Sequence, residues 1–389
     1  MEEKQLLSYR YRLLPTREQH AALCMILESQ RQLYNAALEE RIACYRKTGR
    51  TITLYDQQKG LTECRRDLPE MALLPTYLQR ATLHRLDQTY RSFFRRAKAG
   101  EKAGFPRFKG KGWFNSFGFR EFRGISFDGK RLRLKGMSGG LRVHLHRSLP
   151  TMDIRSCTFR RDAKGWLVSF AVPVETANKR DNIRAIGLDM GLTTLAATSD
   201  SELIPNPRAA RKAQIKMRVR QRALARCRKG SMRRRKVRAE VTRLHAKIAN
   251  TRKTYLHQVS ARLVRDYDLI AIEALNIKCL SRGILARSVH DAGWGNLIEF
   301  LRYKAARAGA QLIEVDPRFT SQTCPDCGTV APKTLADRVH SCPCGCIIDR
   351  DVAAARVILS RAVVGPGLGN VTGYGERRAG NLNTLETLP

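Results

Sequence analysis

The chain has 389 residues, in which 72 Lys and Arg stand against 35 Asp and Glu, a formal charge of +37. That length exceeds what one core organises, so two or three structural units are expected, and self-repulsion of that size requires a polyanionic partner, most simply nucleic acid. No apolar run approaches the roughly 18 residues of a membrane span and MEEKQLLSYR is not a signal peptide, so a cytoplasmic protein without a membrane partner is expected.

In chain order, LLSYRYRLL (6–14) is short, apolar and aromatic, and reads as a strand. Thr16-Arg17-Glu18-Gln19 follows Pro15 as a capping-box pattern, and the period Leu23, Ile26, Leu27, Leu33, Tyr34, Ala37, Leu38 predicts a helix stopped near Gly49. The stretch 77–97 keeps the same period through Leu78, Leu86, Tyr90, Phe93 and Phe94, so residues 16–100 read as a helical domain. Residues 104–123 interleave aromatics with Lys and Arg. Two arrangements suit them equally: bases stacked on the rings with phosphates on the charges, or a strand pair with the rings buried. Short alternating runs from Ile125 to Val174, punctuated by Gly, Asp-Gly and Pro, predict an antiparallel β domain with a barrel as one form of it. The strand at 6–14 would join that domain and make the helical one an insertion.

At 182–199 the character changes: an apolar strand runs into Asp189, and Gly191 permits a tight turn into a second strand. Residues 207–253 are crowded with Arg and Lys, while Val241, Leu244, Ile248, Leu256, Val259 and Leu263 keep one apolar helical face. That density of charge favours phosphate contact over a merely solvated face. DLIAIEAL (268–275) reads as a buried strand with Glu273 near its carboxyl end, 294–308 as an amphipathic helix and 311–315 as another strand. The end, 365–389, lacks periodicity and reads as a disordered tail.

Three acids share a context. Asp189 and Glu273 close strands, and Asp351 opens an alanine-rich helix. Sites in open α/β sheets form at the carboxyl ends of strands. Carboxylates gathered without counter-charge repel one another, and hard divalent cations resolve the conflict. Two Mg²⁺ or Mn²⁺ ions about 4 Å apart could activate a water and stabilise the leaving 3′-oxygen of a phosphodiester. Asp349 and Asp351 cannot both face one site from a helix. Asp351 is assigned to the site and Asp349 to the helix cap, with Asp349 the alternative.

Eleven cysteines suit a reducing compartment rather than a disulfide framework. Six are scattered (Cys24, Cys44, Cys64, Cys157, Cys227, Cys279) and read as small buried hydrophobes. The other five, in Cys324-Pro-Asp-Cys327-Gly and Cys342-Pro-Cys344-Gly-Cys346, approach a structural zinc site of two knuckles, the second irregular. Cys324, Cys327, Cys342 and Cys344 are taken as ligands because Cys344-Gly345 repeats the Cys327-Gly328 turn, with Cys346 as the substitute. A closed four-thiolate site leaves no position for substrate, so this zinc would be structural.

The runs GLDMGL, IAIEALNIKCL, ARSVHDAGWGNL, VDPRFTSQTCPDCG and CGCIIDRDVAAARVIL, with YRLLPTREQ, LYNAAL and GFPRFKGK, resemble the OrfB/TnpB proteins of insertion sequences, relatives of the type V CRISPR effectors. The resemblance implies an α/β multidomain protein with an RNase H-like (RuvC) nuclease domain over 181–323 and 347–364. A zinc-knuckle insertion would occupy 324–346. A β-barrel wedge domain over 1–15 and 101–180 would carry a helical recognition insertion at 16–100. It further implies that Asp189, Glu273 and Asp351 are the catalytic, magnesium-binding acids and that the knuckle cysteines bind zinc. The partners implied are a guide RNA derived from the transposon end and a double-stranded DNA target beside a short adjacent motif, with a monomer bound to RNA. Sequence reading would then pass to base pairing. Ala353 stands where the family usually has Asn, Ala274 where an acid is common, and the second knuckle is one residue short. The alternatives are a nuclease-silent RNA-guided regulator and a transposase that itself joins DNA ends.

Overall fold

Alternation of exposed and buried side chains carries β1 (Lys4–Leu14) into a sheet, with Tyr9, Tyr11 and Leu13 turned to the core. The structure, a computed structural model, describes residues 4–178, 180, 184–334 and 337–364, so the expected disordered tail, 365–389, lies outside the described residues. The chain divides into a unit Lys4–Val174 and a second unit from Glu175 onward.

In the first unit, β1 leads into α1 (Arg17–Thr48) through the expected capping box. The Thr16 hydroxyl accepts from the Gln19 amide at 3.2 Å, and the Gln19 side chain accepts from the Thr16 amide at 3.1 Å. Gly49, at φ 68°, ends the helix in the left-handed conformation that glycine adopts without cost. Next come α2 (Leu54–Asp67), α3 (Pro69–Ala72) and α4 (Thr76–Lys98). The stretch 101–113 has no strand or helix, and six short-to-long strands follow: β2 (Ser116–Phe119), β3 (Ile125–Phe127), β4 (Arg131–Leu134), β5 (Leu141–His144), β6 (Ser156–Asp162) and β7 (Gly165–Glu175).

They pair in the order β2-β6-β7-β1-β5-β4-β3. β1 therefore sits mid-sheet, and α1–α4 fill the excursion between it and β2. The ladder recorded among the described residues runs from β2 to β3 as an open sheet, without the closure a barrel needs. One apolar cluster joins the sheet residues Phe159, Trp166 and Phe170 to Leu23 and Leu38 of α1 and Leu78 and Leu86 of α4.

The rings of the segment 104–123 divide between buried and exposed positions. Phe114, Phe117 and Phe119 are buried, with Phe117 and Phe119 in β2, whereas Phe105, Phe108 and Trp113 stay exposed on the preceding loop.

The second unit holds a five-stranded sheet in the order β10-β9-β8-β11-β12. Its strands are β8 (Ala185–Asp189), β9 (Thr194–Thr198), β10 (Leu203–Pro205), β11 (Leu269–Glu273) and β12 (Gln311–Val315). β8, β11 and β12 are parallel, β9 runs antiparallel to β8, and β10 runs antiparallel to β9. Between β10 and β11 lie the basic helices α5 (Ala209–Arg226) and α6 (Met232–Asp266). Between β11 and β12 lie α7 (Ile277–Leu280), α8 (Ala286–Ala292) and α9 (Trp294–Ala308). A hairpin of β13 (Val339–Ser341) and β14 (Ile347–Asp349) then runs into α10 (Arg350–Val364).

Because side chains alternate along a strand, the two sheet faces carry different residues. Ile186, Leu188, Ile270 and Ile272 pack with Leu256 and Leu263 of α6 and Leu297 and Leu301 of α9. Ala185, Leu269 and Ala271 pack with Ile358, Leu359 and Ala362 of α10. Gly187 lets α10 come close: a Cβ there would stand 2.0 Å from the Ala355 carbonyl oxygen and 2.9 Å from Leu359 Cβ. The layering is helix, sheet, helix, as an α/β unit with a parallel centre requires.

Candidate active site and metal centre

Asp189 is the last residue of β8 and Glu273 the last of the adjacent parallel strand β11, so both acids leave the sheet at the same edge. Asp351 is the second residue of α10, the helix that lies over β8 at Gly187. These placements make the three acids electrostatic neighbours. Burial pushes the Asp189 carboxyl up to about 8, helped by the charges of Glu273, Asp351 and Asp349 and opposed by Arg350. Glu273 is also raised, by burial, against the Thr320 hydrogen bond and the Arg361 charge.

Asp349 has another task. Its Oδ1 accepts from the amides of Asp351 at 2.8 Å and Val352 at 3.2 Å, capping the first turn of α10 as expected. Arg350, between the two aspartates, pairs with Asp351 at 3.3 Å. Ala353 is buried in α10, so it presents no polar group to the acids.

Two buried or tethered contacts steady the acids. The Thr320 hydroxyl donates to Glu273 Oε1, with both residues buried. Arg361 of α10 donates to the carbonyls of Asp316 at 2.8 Å and Arg318 at 2.7 Å, holding the segment that leads to Thr320. The turn after Asp189 is pinned by Trp294, whose indole Nε1 donates to the Gly191 carbonyl at 3.2 Å.

The cysteines converge more tightly than the acids. Among the described residues, two groups bring all their ligand atoms within 4.8 Å of one another, and both include Cys324. The first is Cys324, Cys327, Cys342 and Cys344, with sulfurs 3.6 Å apart for Cys324–Cys344 and 3.5 Å for Cys327–Cys342. The second is Cys324, His340 and Cys346. Gly328 and Gly345, at φ 76° and 94°, follow Cys327 and Cys344 where each knuckle turns back. The four-cysteine group could hold a structural metal ion. Cys342 and Cys344 stand in the turn of the β13–β14 hairpin, whose last residue, at its other end, is the cap Asp349.

A protein from Streptomyces pristinaespiralis described as "Putative RNA-guided DNA endonuclease" is 32% identical over 373 residues, covering 93% of this chain and 91% of that protein. Residues 168–282 match the OrfB_IS605 profile, described as "Probable transposase". The chain belongs to the OrfB/TnpB family. Another relative, InsQ of Escherichia coli strain K12, carries the same description and is 28% identical over 384 residues, covering 92% of each chain. Residues 294–358, which hold the cysteines and Asp351, match a profile described as "Cas12f1-like, TNB domain". A third profile, described as "Helix-turn-helix domain", covers residues 1–50, where this OrfB/TnpB chain forms β1 and the single long helix α1. Among solved structures, a Cas12f1–sgRNA–target DNA complex shares the fold, with a TM-score of 0.57 and 14% identity over 89% of this chain and 83% of that one.

Sequence reasoning missed Thr320 and His340 in this OrfB/TnpB chain. A lone threonine has no signature of its own, and its acid partner lies 47 residues away. His340 follows no ligand spacing, although its place two residues before Cys342 in a cysteine-rich stretch was an available hint.

Proposed function

We propose that this chain is a transposon-encoded, RNA-guided DNA endonuclease. In this reading it binds an RNA from the transposon end and hydrolyses target DNA beside a short adjacent motif. The observation that supports the reading is that Asp189 and Glu273 end adjacent parallel strands, Asp351 opens the helix over them, and the charges of Glu273 and Asp351 bear on Asp189. The descriptions of the Streptomyces and E. coli relatives point to the same activity. In this reading the second unit is an RuvC-type, RNase H-like nuclease domain with the cysteine-rich stretch inserted. The strands of the first unit serve as the wedge and α1–α4 as the recognition insertion.

The acid set fits a hard divalent cation, because a carboxyl pushed up to about 8 by burial and by the neighbouring acids is relieved by positive charge. Asp189, Glu273 and Asp351 would hold magnesium or manganese, which when bound supplies Lewis-acid activation of a water and of the leaving 3′-oxygen. The chain's own part is orientation. The Thr320 hydroxyl fixes one oxygen of Glu273, Trp294 fixes the turn behind Asp189, and the Asp349 cap fixes the start of α10. Thiolates on a tetrahedral zinc stand about 3.8 Å apart, which the sulfur separations of 3.5 and 3.6 Å approach. Zinc at Cys324, Cys327, Cys342 and Cys344 would therefore be structural, tying the hairpin that precedes Asp351. The formal charge of +37 suits the two polyanions such a complex holds.

The test is cleavage of a matched DNA duplex by the protein purified with its RNA, in Mg²⁺. Wild type is expected to cut, and Asp189→Ala and Asp351→Ala to bind target without cutting. Cleavage by Asp351→Ala would move the assignment to Asp349, and strand-joining products would move the function to a transposase.

A further inference from the structure

The loop from Gly104 to Trp113 is irregular in backbone yet firmly held. Pro106 is buried at one end and Phe114 just beyond the other, where Phe114 lies beneath the Arg85 guanidinium at 4.5 Å and beside Tyr34 at 6.0 Å. In the middle, the main chain of Lys109 is gripped by α1. Its amide donates to Asn35 Oδ1 at 2.8 Å, and its carbonyl accepts from Asn35 Nδ2 at 3.0 Å and Arg31 Nη1 at 2.8 Å. The tip is a tight turn closed by the Trp113 amide donating to the Gly110 carbonyl at 3.1 Å, with Gly112 at φ 86°.

This frame displays rings rather than burying them. Phe105, Phe108 and Trp113 are 49%, 54% and 77% exposed. Phe105 leans edge-on against Tyr90 and Phe93, whereas Phe108 and Trp113 meet no other ring among the described residues. Arg107, Lys109 and Lys111 alternate with the rings, and residues 104–113 contain no acid. Scattered exposed apolar side chains are ordinary. A pinned loop that interleaves three exposed rings with three cations, and excludes acids, matches instead the combination that holds single-stranded nucleic acid: rings for base faces and cations for phosphates. Holding the loop in advance lowers the ordering cost of binding.

We propose that Phe108 and Trp113 are a stacking platform for unpaired nucleotides of the bound RNA. The occupant is RNA because its unpaired bases are present as soon as the RNA is bound, whereas a DNA target exposes base faces only after guide pairing has opened its duplex. This step rests on the nucleic-acid-binding part of the function proposed above.

The protein carries its own probe. Of its three tryptophans, Trp166 and Trp294 are 1% and 6% exposed, so solvent-sensitive emission comes from Trp113. Full-length protein stripped of RNA is titrated with a roughly 12-nucleotide oligouridylate, a length within the span of known single-strand sites. Binding is read independently by the anisotropy of a labelled oligonucleotide.

The expected result is quenched tryptophan emission on binding, an affinity about tenfold weaker in Trp113→Ala and near wild type in Trp113→Phe, and a similar loss in Phe108→Ala. Unchanged emission while the oligonucleotide binds, or unaltered affinity in both alanine variants, overturns the platform. A clear preference for the matching DNA oligonucleotide overturns the choice of RNA. Failure is separable from failure of the nuclease reading. Quenching without DNA cleavage leaves the platform standing, and cleavage with unaltered emission removes it alone.

Discussion

Replacing Thr320 by valine keeps its buried shape and deletes the one donor that Glu273 receives from it. A buried hydrogen bond to a charged group is worth about 1.5–3 kcal/mol, so cleavage by Thr320→Val should fall at least about tenfold. Thr320→Ser should restore most of the rate, and equal loss in both variants would make Thr320 a packing residue. Asp189 supplies a pH signature. Its carboxyl keeps a proton up to about 8 in the folded, metal-free chain and loses it in the ordinary carboxyl range when unfolded. The contribution of Asp189 to stability in the absence of metal is thus fullest below the ordinary carboxyl range and declines as pH rises toward about 8. Metal binding must expel that proton. Manganese affinity measured by calorimetry should therefore rise about tenfold per pH unit below that value and level off above it. Asp189→Asn should flatten the slope. The placement of the three acids at strand and helix ends was legible from the sequence pattern. Thr320 was not, because its role comes from a tertiary contact.

Helix α10 packs on β8 through a single gap in the side-chain layer, and Gly187 is that gap. A methyl group there would meet a backbone oxygen, which cannot move as the end of a flexible side chain can. Gly187→Ala should cost about 1–3 kcal/mol or more by overpacking, read as a lower midpoint in thermal or urea unfolding. Cleavage should fall further than stability alone explains, because α10 carries Asp351. The cysteine group makes a separate claim. Stripping its metal with a chelator, or introducing Cys324→Ala, should raise hydrogen exchange through the β13–β14 hairpin and leave β8 and β11 protected. Uniform loss of protection would show instead that the knuckle supports the whole unit.

The long elements were readable from their hydrophobic period and caps. Helix α2 was not, because its inward face is largely polar. Buried Gln57 accepts from Arg41 Nε at 2.8 Å and donates to the Ala37 carbonyl at 2.8 Å and to Glu40 at 2.7 Å. A face satisfied by hydrogen bonds leaves no apolar rhythm to read. The β domain was legible as alternating strands, but strand order and closure depend on pairings between distant segments, which alternation does not encode.

At the scale of the whole chain, charge announced a polyanionic partner, and the division at Glu175 separates a unit with a mostly local helical excursion from one built on a parallel sheet. The position of β1 has a consequence for how the protein is made. Its partners are Arg12↔His144, Leu13↔Val143 and Leu14↔Arg142 on one side, and β7 on the other. Strand β1 leaves the ribosome before both of its partners and must wait for them. At about 5–20 residues per second, that wait lasts on the order of 10–30 s. During it, the row Tyr9, Tyr11 and Leu13 has neither neighbour in place. Nascent chains stalled before β5 emerges should be cut by protease within residues 4–14, and chains stalled beyond β7 should resist. Synthesis rate and chaperone supply, more than final stability, would then set how much of this protein reaches its folded form.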